Sequence, residues 1–114
     1  MNPTQLKEIA QIMATASGAN KIILFGSRAR GDFDSSSDWD FLLVMPQTWN
    51  PSCLDQELDV ARVAHTALWK LGFRESVDLV PMQKSDFESG NNVLARVIWQ
   101  EGKTVFEVAE VAYA

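Results

Sequence analysis

Two carboxylates two residues apart, Asp38 and Asp40, open the apolar run Phe41-Leu42-Leu43-Val44. On a strand, residues at that spacing face the same way, so both acids lie on one side while Trp39 points to the other. Adjacent like charges call for a cation, and hard oxygen donors suit magnesium, which is commonly held by one or two carboxylates together with substrate phosphates. A third acid, Asp78, interrupts the apolar stretch Val77-Asp78-Leu79-Val80, where an isolated charge is costly to bury. If that stretch is a strand beside the first, the three aspartates converge. The competing assignment is a solvated turn and edge strand for Asp38 and Asp40, and a turn-capping role for Asp78. Asp32 and Asp34 lie among small and acidic residues and read as ordinary loop acids.

Upstream, Gly26 ends an apolar run and Ser27 begins what reads as a tight turn into a short helix. Such a turn offers backbone N–H groups and a hydroxyl to an anion. Gly26 lets a phosphate come close to the backbone, and Arg28 and Arg30 can bring guanidinium charge to a polyphosphate. One of the two arginines is expected to face the phosphates and the other the solvent. The pattern therefore couples a phosphate cradle to a carboxylate metal site.

These residues need a scaffold. Pro3 opens a segment with Leu6, Ile9, Ala10 and Met13 at helical spacing, and Gly18 closes it. Lys21 to Phe25 and Trp39 to Met45 read as strands, stopped by Gly26 and Pro46. The polar segment between them reads as the short helix followed by a loop over Asp32 to Ser37. Thr48 to Ser52 reads as a connection. Leu54, Leu58, Ala61, His65 and Leu68 then recur every three or four residues up to Gly72, which predicts the longest helix. Val77 to Val80 is a third strand, ending beside Pro81. One further helix is expected from Ser85 or Asp86 through Val93, Leu94, Val97 and Ile98 to just before Gly102, with Lys103 to Glu107 as an edge strand. The expected fold is α/β (α+β): a mixed sheet of three to four strands with the carboxylates on one face and helices packed on the other.

The composition limits what such a site can serve. The chain has 114 residues, 46% of them hydrophobic and 22% charged, which predicts one folded domain over residues 1–114. Fifteen acidic residues against ten basic ones leave a net charge of -5, so nonspecific nucleic-acid binding is not expected. The single cysteine, Cys53, excludes an intramolecular disulfide and reads as a packing residue rather than a nucleophile. No apolar stretch approaches the ~20 residues needed to cross a bilayer. No secretory signal is visible at the start. A reducing cytoplasm is the expected setting. His65 falls on the apolar stripe of the long helix and reads as buried or interfacial rather than as a general base. Trp39 and Trp99 are expected in the core, and Trp49, beside an Asn-Pro step, at the surface.

The run Phe25-Gly26-Ser27-Arg28-Ala29-Arg30-Gly31, ten residues between Gly26-Ser27 and Asp38-Trp39-Asp40, and the later strand aspartate Asp78 together resemble the polymerase beta-like nucleotidyltransferases. Within that superfamily the stretch from about Lys21 to Val80 is similar to the minimal nucleotidyltransferases of bacteria and archaea. The resemblance implies that Asp38 and Asp40 bind two magnesium ions, and that Asp78 binds one of them and helps to deprotonate an acceptor hydroxyl. It further implies ATP as donor, with Gly26, Ser27, Arg28 and Arg30 at the nucleotide phosphates. Larger relatives carry an extra domain for the acceptor. Minimal members are typically paired with a helical HEPN ribonuclease toxin and act as its antitoxin, so the implied acceptor is a hydroxyl on such a toxin, a tyrosine in the leading reading. Two alternatives stay open: a nucleotide-binding antitoxin that inhibits sterically without turnover, and a nucleotidyltransferase subunit acting on RNA or a small molecule.

Overall fold

The computed structural model describes residues 1–49 and 54–108, with residues 54–58 described by their backbone alone. Cys53, most of the Thr48 to Ser52 connection and the side chains of Leu54 and Leu58 lie outside the described residues. Helix α1 spans Pro3–Ser17. Asn2 caps it by accepting from the Gln5 backbone N–H, and the Gln5 side chain accepts from Asn2 in return, a reciprocal capping box. At the other end Gly18, at φ 80, takes the left-handed turn that stops the helix.

Strand β1 (Lys21–Phe25) leads through the one-turn helix α2 (Ser27–Arg30) to β2 (Trp39–Met45). Helix α3 (Leu54–Leu71) then crosses over to β3 (Val77–Gln83), which runs parallel to β2, as such a connection requires. The short helices α4 (Lys84–Glu88) and α5 (Val93–Glu101) precede β4 (Lys103–Glu107), which lies antiparallel to β1. The sheet order is β3-β2-β1-β4, with β1 antiparallel to β2.

The sheet has two unlike faces. Ile22, Leu24, Trp39, Phe41 and Leu43 join Ile9, Ala10, Met13, Ala64 and Leu68 of the two long helices in the larger core cluster. On the opposite face, Ile23, Leu42, Val44 and Met82 pack with Phe87, Ala95 and Ile98 of α4 and α5. The long helices thus lie on one face, as expected, while α4 and α5 add a smaller cover on the carboxylate side. Phe41 has no exposed surface. Phe41→Ala is expected to cost about 3–5 kcal/mol, read as a lowered urea midpoint at unchanged m-value.

Three expectations about elements need correction. The third strand does not end beside Pro81 but continues to Gln83. As an edge strand β3 pairs on one side only, which is where a residue without an N–H is tolerated. The single helix expected from Ser85 to Gly102 is two helices, separated at Gly90 with φ 76 and restarted by Asn92, whose side chain accepts from the Ala95 N–H. His65 is exposed rather than buried, because α3 turns Ala64 and Leu68 to the core and leaves His65 on the flank.

Two tryptophans also exchange places. Trp99 is 48% exposed and meets Phe87 edge-on at 6.1 Å. Trp49 is half-buried against the larger core cluster, and its indole N–H is buried without a hydrogen-bond partner among the described residues. Trp39 is buried, as expected.

Candidate active site

β1 runs towards one end of the sheet, and β2 and β3 start there, so the residues at that end come from three strands. The register sets Asp40 beside Phe25 on one flank and beside Asp78 on the other. Asp40 and Asp78 therefore share a face, together with the position two before Asp40, which is Asp38. Asp38 and Asp78 are exposed and Asp40 is half-buried. An exposed Asp78 escapes the burial cost that its apolar strand suggested, because it stands at the open edge of the sheet.

Burial and the charges of Asp78 and Asp38 push the Asp40 carboxyl above the usual aspartate value, and the Arg30 charge opposes them more weakly. Asp78 and Asp38 are thus both near enough to Asp40 to disfavour its charged form, after burial. Among the described residues, however, no set of three acidic, histidine or cysteine side chains is gathered closely enough to grip an ion as it stands. The donor set fits magnesium in kind, being oxygen only, with two or more ligand positions left for phosphate or water.

The shift has a pH consequence. Protonation of Asp40 is easier in the folded chain than in the unfolded one, so its contribution to stability is fully present below the ordinary aspartate pKa and is lost as pH rises through the raised folded value. In the metal-free protein, Asp40→Asn is expected to remove this loss. Thermal melts from about pH 4 to pH 7 should show the wild type losing ground against the variant across that interval, and added magnesium should restore the wild type alone.

Gly26 explains why Asp40 and the turn meet. Its φ of 75 and ψ of -159 lie in a region that is essentially closed to other residues. A β-carbon there would collide with Asp40 Oδ2 and lie 3.2 Å from its Cγ. The backbone thus passes directly against the carboxylate. The Gly26 carbonyl accepts from the N–H groups of both Ala29 and Arg30 at 3.1 Å, which closes the α2 turn and sets Ser27 at its start. Ala29 is buried in the larger cluster and pins α2 to the sheet.

Neither arginine is free in this structure. Arg28 donates from Nε and Nη2 to the Ser37 carbonyl at 3.3 and 3.1 Å, with its guanidinium 4.5 Å from the ring centres of both Phe33 and Trp39. Arg30 donates to Asp32 at 3.2 Å and to both carboxylate oxygens of Glu101 at 3.1 and 3.2 Å. Glu101, at the end of α5, also accepts from the Gly26 N–H at 3.2 Å. No motif in the sequence points to Glu101, which lies 75 residues from Gly26. Its one local signal is its place as the last helical residue before Gly102. Asp34 acts as a loop acid: it accepts from the Ser36 N–H and hydroxyl at 2.8 and 2.6 Å, bonds that hold its carboxyl below the usual range.

Among curated proteins no sequence match was found. Two solved structures share the fold. One is a toxin–antitoxin with AMP-PNP, at 19% identity and a TM-score of 0.60, covering 90% of this chain and 73% of that one. The other is a protein of Sulfolobus solfataricus assigned as a nucleotidyltransferase, at 22% identity and a TM-score of 0.60, covering 92% of this chain and 79% of that one. The family model for "Polymerase beta, Nucleotidyltransferase" matches residues 7–110, a span that takes in the turn, the three aspartates and Glu101. With the mixed sheet and its carboxylate end already in place, that match makes the chain a member of the polymerase beta nucleotidyltransferase family.

Proposed function

We propose that the protein transfers AMP from magnesium-ATP to a hydroxyl of a partner protein, a tyrosine of a HEPN ribonuclease toxin, and so acts as its antitoxin. One observation carries this reading: a glycine turn suited to phosphate lies directly against Asp40, beside Asp78 and near Asp38, at one end of the sheet. Asp38, Asp40 and Asp78 are the residues that would hold magnesium, two ions in the family pattern, which when bound neutralises charge developing on the α-phosphate and on the leaving pyrophosphate. Gly26 admits the phosphate chain close to the backbone, and the Ser27 hydroxyl donates to a terminal phosphate oxygen in this reading. Asp78, exposed at the sheet edge, can accept the proton of an incoming hydroxyl. The hydroxyl oxygen bonds to the α-phosphorus, the bond from that phosphorus to the bridging oxygen breaks, and pyrophosphate leaves with the electron pair.

A toxin–antitoxin with AMP-PNP among the structural neighbours supports both a toxin partner and an adenine nucleotide. One cysteine suits a reducing cytoplasm. No described helix is long and apolar enough to cross a membrane.

A steric antitoxin that binds nucleotide without turnover is the second reading. It is favoured by Arg28 and Arg30 both being engaged by protein groups, and by the acids not being gathered as an ion-gripping set. Calorimetry with magnesium and a nonhydrolysable ATP analogue tests the shared donor site. Metal-dependent binding by the wild type, lost in Asp38→Asn, is the expected result. Equal binding by both would place the nucleotide elsewhere.

A further inference from the structure

We propose that Arg28 is a positioning residue that fixes Asp38, and not a ligand of the nucleotide phosphates; the proposal rests on the nucleotidyltransferase reading of the site. The geometry of the Arg28 side chain accounts for its donors and its faces. Two N–H groups fork onto the Ser37 carbonyl, and the planar guanidinium is covered by the ring of Phe33 on one contact and by that of Trp39 on another, each at 4.5 Å. Cation–π contact and a two-pronged hydrogen bond are both properties of the planar guanidinium.

The contacts fall on either side of Asp38. Ser37 precedes it, Trp39 follows it, and Phe33 stands at the far end of the same loop. Trp39 is secured independently, by its backbone N–H to the Ser76 carbonyl at 2.9 Å and by its indole N–H to Glu75 at 3.2 Å. Asp38 itself is exposed, so its carboxylate is aimed by the backbone that flanks it and not by packing. On the Ser37 side the other hydrogen bonds run within the loop to Asp34, and Arg28 supplies the tie to another element. It connects the α2 turn to the loop entering β2, so that cradle and carboxylates keep one geometry.

A lysine keeps the charge but has neither the fork nor the plane. With purified protein and Mn2+ as the probe, calorimetry on Arg28→Lys is expected to give an affinity lower by about tenfold, in the range found when a residue supporting metal ligands is lost. In the transfer assay kcat should fall with it while KM for ATP stays unchanged. Phe33→Ala, which removes an exposed ring from the fold's surface, should shift Mn2+ affinity in the same direction by less. A variant Arg28→Lys with unchanged Mn2+ affinity overturns the proposal, and one that raises only KM makes Arg28 a phosphate ligand after all. If Arg28→Lys does not fold, Phe33→Ala decides: weakened Mn2+ binding supports the proposal and unchanged binding overturns it. Absence of Mn2+ binding by the wild type overturns the reading of the site, and the positioning role with it, whereas wild-type binding that survives Arg28→Lys overturns the positioning role alone.

Discussion

Asp40→Asn is expected to reduce AMP transfer by at least about a thousandfold while leaving the fold intact. A bound metal contributes several kcal/mol of charge stabilisation in a transition state, and each 1.36 kcal/mol is a factor of about ten in rate. Asp40 is the central acid of the three, since Asp38 and Asp78 both act on its carboxyl. Asparagine keeps its size and removes the anion. The same change relieves repulsion in the metal-free protein, so loss of activity should come with equal or greater thermal stability. Loss of both together would mark a collapsed fold instead. Single-turnover transfer and a melting curve on one preparation separate the two cases.

Gly26→Ala is the second large effect, and it differs in kind. At φ 75 and ψ -159 a side chain costs about 1–3 kcal/mol in strain alone. The new methyl group would also press on Asp40 Oδ2, while the Gly26 N–H holds Glu101. Either the carboxylate moves away from the turn or the turn moves away from the carboxylate. Both outcomes separate the glycine turn from the acids, so transfer should fall nearly as far as in Asp40→Asn, now with a lowered urea midpoint. Substituting Gly18, where a β-carbon meets nothing within 4 Å, gives the control for strain without collision.

The strands and the turn that bring the candidate-site residues to one end of the sheet are legible because their signals are local. Gly26-Ser27 and Asp38-Trp39-Asp40 carry their meaning in spacing, and the strands Lys21–Phe25 and Trp39–Met45 are bounded by Gly26 and Pro46. What the sequence hid depends on contacts between distant segments. Glu101 reaches Gly26 from α5, and nothing near either residue announces the pair. Pro81 suggests a strand end only until the sheet order makes β3 an edge. The pattern of Val93, Leu94, Val97 and Ile98 identifies α5, but Gly90 and the Asn92 cap determine where it starts, and they outweigh a continuous helix from Ser85. Trp49 and Trp99 were misplaced because flanking residues set exposure less than packing partners do. The contacts of Arg28 with Ser37, Phe33 and Trp39 were hidden in the same way, because they depend on how the loop folds back over α2.

Whether this end of the sheet transfers a nucleotide is tested most directly on a partner. Purified HEPN toxin is incubated with the protein, magnesium and ATP, its intact mass is measured, any adduct is mapped, and residual RNA cleavage is assayed. The predicted result is the mass of AMP added to a toxin hydroxyl, pyrophosphate released in equal amount, and RNA cleavage lost only when ATP is present. Neutralisation equally complete without ATP, or with Asp38→Asn and Asp40→Asn combined, would contradict catalysis and leave the steric antitoxin in its place.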